Sequence, residues 1–402
     1  MRILYCIPRY WPSIGGAQLL TRELIHRIAR HHSVRVVTQF TSDRDSFLET
    51  ATKVRPDKYQ DGDIEVFNVG PTGLWRPVMN MLRKFYGPLK IFNPVLAEVL
   101  RHVMISQIRE IAASFKPEIL HAVHIGLIYS SEAALRAARS LGIPFVWTPV
   151  PHIESGGWTN RHFKKLYRTS DFVIAMTERE KLWLTQQGVL QNRVQVVPYG
   201  PIIHSSSDGE LFRKKHNLNG VPIVLFLAQK LPYKGYKELL GAAPLVWDQI
   251  PDVRFVFVGP RTPESEKVFG LVKDSRILEL PSVDLYEKTS ALAACDVFCM
   301  PSVQESLGGV YLEAWSLRKP VIAANIHIAQ EVIDNGKDGL LTEPTPPAIA
   351  QAILMLLTNK PIAQAMGEAG YKKVKNQYDW NVLANRMEEV YRNCLSDASE
   401  VC

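Results

Sequence analysis

No apolar run in this sequence approaches the roughly 18 residues that a membrane-spanning helix requires. IVLFLA (223–228) and VRFVFVG (253–259) are strand-sized. The opening MRILYCIPRY has a basic second residue, but its apolar run stops at Pro8 after five residues. It is expected to form a first strand and not a signal peptide. Cysteine is scarce as well. The five, at positions 6, 295, 299, 394 and 402, are odd in number and scattered, and no histidine or second cysteine pair completes a zinc-ligand spacing. That argues for a reducing, cytoplasmic setting and no metal. No G-x-G-x-x-G follows the first strand, which argues against a nicotinamide oxidoreductase. Zinc-finger, RNA-recognition and basic-helix patterns are absent, which argues against a nucleic-acid partner. No internal repeat or low-complexity tract appears.

What is present is ordinary globular composition, 46% hydrophobic and 22% charged. A chain of 402 residues exceeds one small core and suggests about two domains of roughly 150–200 residues. Charge is unevenly shared. Residues 1–200 carry 26 Lys and Arg against 16 Asp and Glu, a net of +10, and residues 201–402 carry 21 against 24, a net of −3. Only the first half is therefore expected to meet something anionic, such as a membrane surface or a phosphorylated acceptor.

Short apolar runs alternate with amphipathic stretches. Strands are expected near 2–7, 34–39, 64–69, 118–121, 144–148, 172–175 and 194–197, with helices at 16–31, 96–114, 128–141 and 177–187. The second half gives strands near 223–228, 253–258, 276–279, 297–300 and 320–323, and helices at 235–249, 308–317 and 346–357. Strand, helix, strand in repetition implies an α/β chain with a doubly wound parallel sheet in each half. The polar stretch PIIHSSSDGELFRKKHN (201–217) is the expected junction. Residues 75–104 interrupt the first half with an aromatic and basic helical insert. It is either a peripheral anchor on an anionic membrane, through Arg83, Lys84 and Lys90, or a core helix with a solvated basic face.

The stretch PSVQESLGGVYLEAWSLRKPVI (301–322) places Glu305 and Glu313 either side of Gly308 and Gly309. A strand ending near Met300 would turn and enter a helix here. A helix N-terminus carries unpaired N–H groups and about half a positive charge, which binds phosphate. The glycines allow close backbone approach. Two carboxylates around such a turn match a ligand with hydroxyls at both ends and phosphate in the middle, the layout of a nucleotide sugar. Glu305 and Glu313 are placed as binding groups, one before the helix and one within it, and not as the facing pair of a glycosidase. The Asp-x-Asp sequences at 43–45 and 61–63 read as solvated loops. His121 and His124 are expected at a strand end, as acceptor contacts or as satisfied structural histidines.

The 301–322 stretch resembles the E-x7-E motif of the family 4 retaining glycosyltransferases. Further similarities follow in family order: PRYWPSIGGAQLLTRELIHRIAR (8–30), IPFVWTPVPHIE (143–154), VQVVPYGP (195–202), FLAQKLPYKGYKELLGA (226–242), FVFVGP (255–260), KPVIAANIHIAQEVIDNGKDGLL (319–341) and YDWNVLANRMEEVY (378–391). The resemblance implies a GT-B fold of two facing Rossmann-like domains. An acceptor domain would span 1–205, completed by a returning helix at 378–395, and a donor domain would span 215–377. It implies transfer of a sugar, with retention and without metal or cofactor, from a UDP- or GDP-sugar co-substrate to a sugar, lipid-linked or other hydroxyl acceptor. The setting would be the cytoplasm or the inner membrane face. A nucleotide-sugar epimerase of the same fold and a non-catalytic nucleotide-sugar binder are the alternatives.

By the same resemblance His152, Lys234 and Glu305 carry catalysis. Gly15, Gly16, Lys230, Lys234, Glu305, Ser306, Leu307, Gly308, Gly309 and Glu313 hold the donor. Charge developing on the leaving phosphate would be met by Lys234 and the helix N-terminus, and that phosphate would itself deprotonate the acceptor. Two positions depart from the family pattern: Ala228-Gln229 stands where Gly-Arg is usual, and Leu307 where Phe is common. Lys230 is the expected substitute for the missing arginine, without its forked geometry.

Overall fold

A computed structural model of the chain describes residues 1–12, 16–39, 57–85, 93–124, 128–151, 153 and 156–400. The chain divides into two units. Met1–Tyr199 and Trp380–Cys402 make up the first, and Gly200–Asp379 the second.

Among the described residues the first unit has eight strands: β1 (Arg2–Cys6), β2 (Ser33–Thr38), β3 (Asp57–Asp61), β4 (Ile64–Asn68), β5 (Ile119–Val123), β6 (Phe145–Thr148), β7 (Phe172–Ala175) and β8 (Val194–Val196). They form one sheet in the order β3-β4-β2-β1-β5-β6-β7-β8. Strands β1, β5, β6 and β7 read ILYC, ILHAV, FVWT and FVIA where they are buried. Such runs, apolar apart from His121 and Thr148, which bond each other, are what strands covered on both faces require. All the pairings are parallel except that of β3 with β4.

The polar DKYQD of β3 was not expected as a strand, and it corrects the solvated-loop reading of Asp61. That carboxylate is buried. It accepts from Arg22 Nη2 at 2.5 Å, His26 Nε2 at 2.9 Å and the Tyr10 hydroxyl at 2.9 Å. Burial alone would raise its pKa, but hydrogen bonds from His26, Arg22 and Tyr10 outweigh that and hold it below the usual carboxylate range. Asp43 and Asp45 lie outside the described residues.

The insert begins with helix Trp75–Phe85 and continues with helix Asn93–Phe115. Leu96, Leu100, Met104 and Ile108 recur at helical spacing and are buried in the core of the unit. Leu74 and Met81 are exposed. The side chains of Arg83, Lys84 and Lys90 lie outside the described residues. Helix Trp380–Glu400 returns to the first unit and packs on helix Gly16–Ile28.

The second unit holds β9 (Ile223–Leu227), β10 (Arg254–Val258), β11 (Ile277–Leu280), β12 (Val297–Met300), β13 (Val321–Ala324) and β14 (Gly339–Thr342). They form an all-parallel sheet in the order β11-β10-β9-β12-β13-β14. Part of the expected polar junction is helical: Asp208 accepts the Leu211 N–H at 2.8 Å and caps helix Gly209–Lys215. This strand order fixes where a ligand can enter. From β9 the chain proceeds to β10 on one side, and β12 lies on the other. The loops leaving β9 and β12 therefore diverge, and doubly wound sheets bind ligands in the crevice outside the carboxyl ends of two such strands.

Candidate donor site

The loop after β9 ends in a 3-10 turn, Pro232–Lys234, followed by Gly235 and helix Tyr236–Trp247. The loop after β12 runs from Pro301 to Gly308 and enters helix Gly309–Ser316. Neighbouring strands bring the two loops together, and they interlock. Gly235 has φ +80°, and a Cβ there would lie 2.4 Å from the Pro301 carbonyl oxygen, so only glycine fits. The Val303 N–H donates to the Tyr233 carbonyl at 2.9 Å, and the Ser302 hydroxyl donates to the same oxygen at 3.3 Å. One consequence is an ion pair across the crevice, with Lys234 Nζ 2.6 Å from Glu305 Oε1.

Gly308 begins the helix at φ +75°, where a Cβ would meet the Tyr311 ring at 2.5 Å. That ring is fixed in turn, because its hydroxyl donates to the Met300 carbonyl at 3.0 Å. Nothing lies within 4 Å of a Cβ built on Gly309. The start of the helix is therefore open on that side, with positive helix-end potential available to an anion. Leu307 is buried and Ser306 half-buried.

Glu313 lies about one turn further along, and it is 7% exposed. Its Oε1 accepts from Lys288 Nζ at 2.7 Å, and the same ammonium donates to the Ile202 carbonyl at 2.9 Å. Its Oε2 is buried without a hydrogen-bond partner among the described residues. Burial pushes this carboxyl above its ordinary range, against the pull of Lys288.

The first unit treats its expected acceptor groups differently. His121 is buried on β5, with Nδ1 2.7 Å from the Tyr391 hydroxyl and Nε2 2.7 Å from Thr148 Oγ1. Both nitrogens are occupied, and burial lowers its pKa to about 3, leaving it neutral. The expectation that it contacts an acceptor is corrected: it is a satisfied structural histidine. His124 is also buried and lowered to about 4. Its ring stands edge-on to Trp158 and Phe163 at 5.3 and 5.2 Å, and Nδ1 lacks a partner among the described residues. Gly16 is exposed at the start of its helix. Gly15 and His152 lie outside the described residues.

Residues 15–200 match the glycosyl transferase 4-like domain, and residues 208–373 match the glycosyl transferases group 1 family. The chain belongs to the family 4 glycosyltransferases. This family member is 31% identical over 237 residues to a phosphatidyl-myo-inositol mannosyltransferase of Mycobacterium leprae, a match covering 57% of this chain and 60% of the relative. It is 26% identical over 257 residues to the N,N'-diacetylbacillosaminyl-diphospho-undecaprenol alpha-1,3-N-acetylgalactosaminyltransferase of Campylobacter jejuni, covering 59% and 64%. The matched stretches thus take in less than two thirds of these relatives' lengths. Among solved structures, Anabaena HepE in complex with UDP-glucose superposes with a TM-score of 0.73 at 18% identity, covering 98% of this chain and all of that one. Sucrose-phosphate synthase from Thermosynechococcus elongatus gives 0.73 at 19%, covering 98% and 99%. The fold is GT-B.

In this family member the expected substitute for the missing arginine fails. Lys230 is fully buried. Its ammonium donates to the Gly259 carbonyl at 2.5 Å and the Leu280 carbonyl at 2.7 Å, and it pairs with Glu279 Oε1 at 2.6 Å. It clamps the ends of β10 and β11 and has no exposed surface to offer a ligand, while Gln229 is exposed. Lys288 was missed altogether. Its only sequence signal is a basic residue one turn into an apolar helix, a pattern that also describes a solvated face.

Proposed function

We propose that this chain transfers a sugar, with retention and without a metal, from a nucleoside-diphosphate sugar to a lipid-linked or other hydroxyl acceptor. The second unit binds the donor and the first the acceptor. One observation carries the reading: Lys234 and Glu305 are held together at the open start of helix Gly309–Ser316, where the sheet order diverges. A diphosphate entering there would take the Lys234 ammonium and the helix N–H groups, freeing Glu305 for the sugar hydroxyls. As the bond from the anomeric carbon to the phosphate oxygen breaks, the electron pair goes to that oxygen. Once Lys234 has exchanged Glu305 for the diphosphate, it and the helix end would already face the oxygen where this charge develops, so the chemical step would need little further reorganisation. The acceptor hydroxyl bonds to the anomeric carbon from the same face and its proton passes to the leaving phosphate, so no protein nucleophile is required. His124 and His152 are the acceptor-side candidates.

The names of the relatives support a lipid-linked acceptor, since they specify phosphatidyl-myo-inositol and diphospho-undecaprenol. A membrane-facing role for 75–104 belongs to this proposal. Liposome binding by the native chain, lost on Arg83, Lys84 and Lys90→Glu, supports it, and no binding by the native chain refutes it. The exposed Gln229 favours a second reading, a nucleotide-sugar binder without turnover.

The test is thermal stability against UDP-, GDP- and ADP-sugars without metal. A ligand at a hundred times its Kd adds about 2.7 kcal/mol. A shift with one nucleotide class, lost in Lys234→Ala and Glu313→Ala, supports the donor site. Absence of any shift refutes it. Turnover with an acceptor then separates the transferase from the binder.

A further inference from the structure

One carboxylate oxygen of Glu313 is held by Lys288, and the other has no hydrogen-bond partner among the described residues. The two residues lie on different helices, Gly309–Ser316 and Leu285–Ala294, and 25 positions apart in the chain. Lys288 Nζ grips one carboxylate oxygen at 2.7 Å and is itself anchored by the Ile202 carbonyl at 2.9 Å. The next two residues of the same helix hold the same entering segment: Thr289 Oγ1 accepts the His204 N–H at 2.9 Å and Ser290 Oγ accepts the Asp208 N–H at 3.0 Å. The lysine is thus tethered to backbone that is itself pinned. A buried acceptor without a partner is unfavourable, so an oxygen left open beside the loops of the crevice is suited to a hydroxyl group that a ligand brings. Here Oε2 is buried and has no hydrogen-bond partner among the described residues, although the Ile202 backbone, like Lys288, pulls the carboxyl toward its ionised form.

We propose that Lys288 is a positioning residue for donor binding: it holds Glu313 by one oxygen so that the other accepts hydroxyl groups from the nucleoside sugar. This rests on the reading of the second unit as a nucleotide-sugar site. Lys288 does not touch the donor. It fixes the direction of the acceptor oxygen, and its charge opposes the rise in pKa that burial imposes on the carboxyl.

The experiment compares affinities for UDP and GDP with those for their 2′-deoxy forms by calorimetric titration. The native chain is expected to prefer the ribose form. In Lys288→Met that preference falls by about tenfold, the worth of a hydrogen bond to a charged group, while deoxy binding stays nearly unchanged. Lys288→Arg, which retains charge and reach, keeps most of the preference. If Lys288→Met loses the folded state, Lys288→Gln replaces it and is read in the same way. A lysine that only supports the fold would lower Tm in the variant with the ribose preference intact, and that result overturns the proposal. A native chain that binds both forms equally also overturns it. Failure of the native chain to bind any nucleoside diphosphate refutes the donor site itself, and is distinguished by the absence of binding before any substitution.

Discussion

Strand β1 in the first unit and β9 in the second hold equivalent places. Each comes first in its sheet, with the next strand in sequence on one side and a later strand, β5 or β12, on the other. The polar side chains beside them behave in opposite ways. Next to β1, Tyr5, His121 and Tyr391 satisfy one another: the Tyr5 and Tyr391 hydroxyls are 2.5 Å apart, and the small cavity among Tyr5, Thr21, His121, Thr148 and Tyr199 has a volume of only about 10 Å³. Beside β9 and β12, Lys234 and Glu305 sit at the rim of an open helix start, and Glu313 keeps a bare oxygen. One arrangement of strands therefore yields a closed polar core in one unit and a receptive crevice in the other. The difference lies in what covers each, since helix Trp380–Glu400 brings Tyr391 onto the first.

The most severe way to test this contrast is inside the second unit, between its two loop lysines. Lys230→Met is expected to cost about 2–4 kcal/mol of stability, because the buried Gly259 and Leu280 carbonyls lose their donor, while Glu279 keeps its ion pair with Arg261. Donor affinity of the folded fraction should be little changed, as followed by urea unfolding and nucleotide titration. Lys234→Ala should do the reverse, lowering kcat/KM by about 10²–10³-fold in a sugar-transfer assay with stability nearly intact.

Acid should weaken the first unit. His121 and His124 have folded pKa values of about 3 and about 4. The unfolded chain takes up their protons below roughly pH 6.5, whereas the fold does not. Stability is complete above that pH and falls as pH drops toward the folded values. His121 alone removes about 2 kcal/mol by pH 5, measurable as the unfolding free energy between pH 7.5 and 5. The mildest intervention is Tyr391→Phe. It leaves His121 Nδ1 and the Tyr5 hydroxyl unsatisfied, at a cost of about 1–2 kcal/mol, and donor binding should not change. Loss of donor binding there would mean the closed core is not inert.

These contrasts explain what could be read beforehand. The buried strands were legible because ILYC and IVLFL admit no exposed face. The interlocked loops were legible because glycine marks the places where backbone passes close, as Gly235 does against Pro301. Side-chain direction was not. Nothing local decides whether the long stem of Lys230 reaches outward to a phosphate or inward to the ends of β10 and β11. The burial of Asp61 depends on Arg22 and His26, from a helix early in the chain, so DGD looked like a polar turn. His121 is occupied because of Tyr391, 270 positions away. Pairings at such separations leave no periodicity to detect.

That last separation also bears on how the protein is made. Tyr5 and Tyr391 bond across 386 positions, so the first unit to leave the ribosome cannot be finished until helix Trp380–Glu400 has followed it. The second unit, one uninterrupted segment, emerges in between and can fold first. At about 5–20 residues per second the wait is on the order of 10–40 s. During that interval β1 and helix Gly16–Ile28 are synthesised but uncovered, and nascent chains stalled before Trp380 should be the ones that chaperones hold.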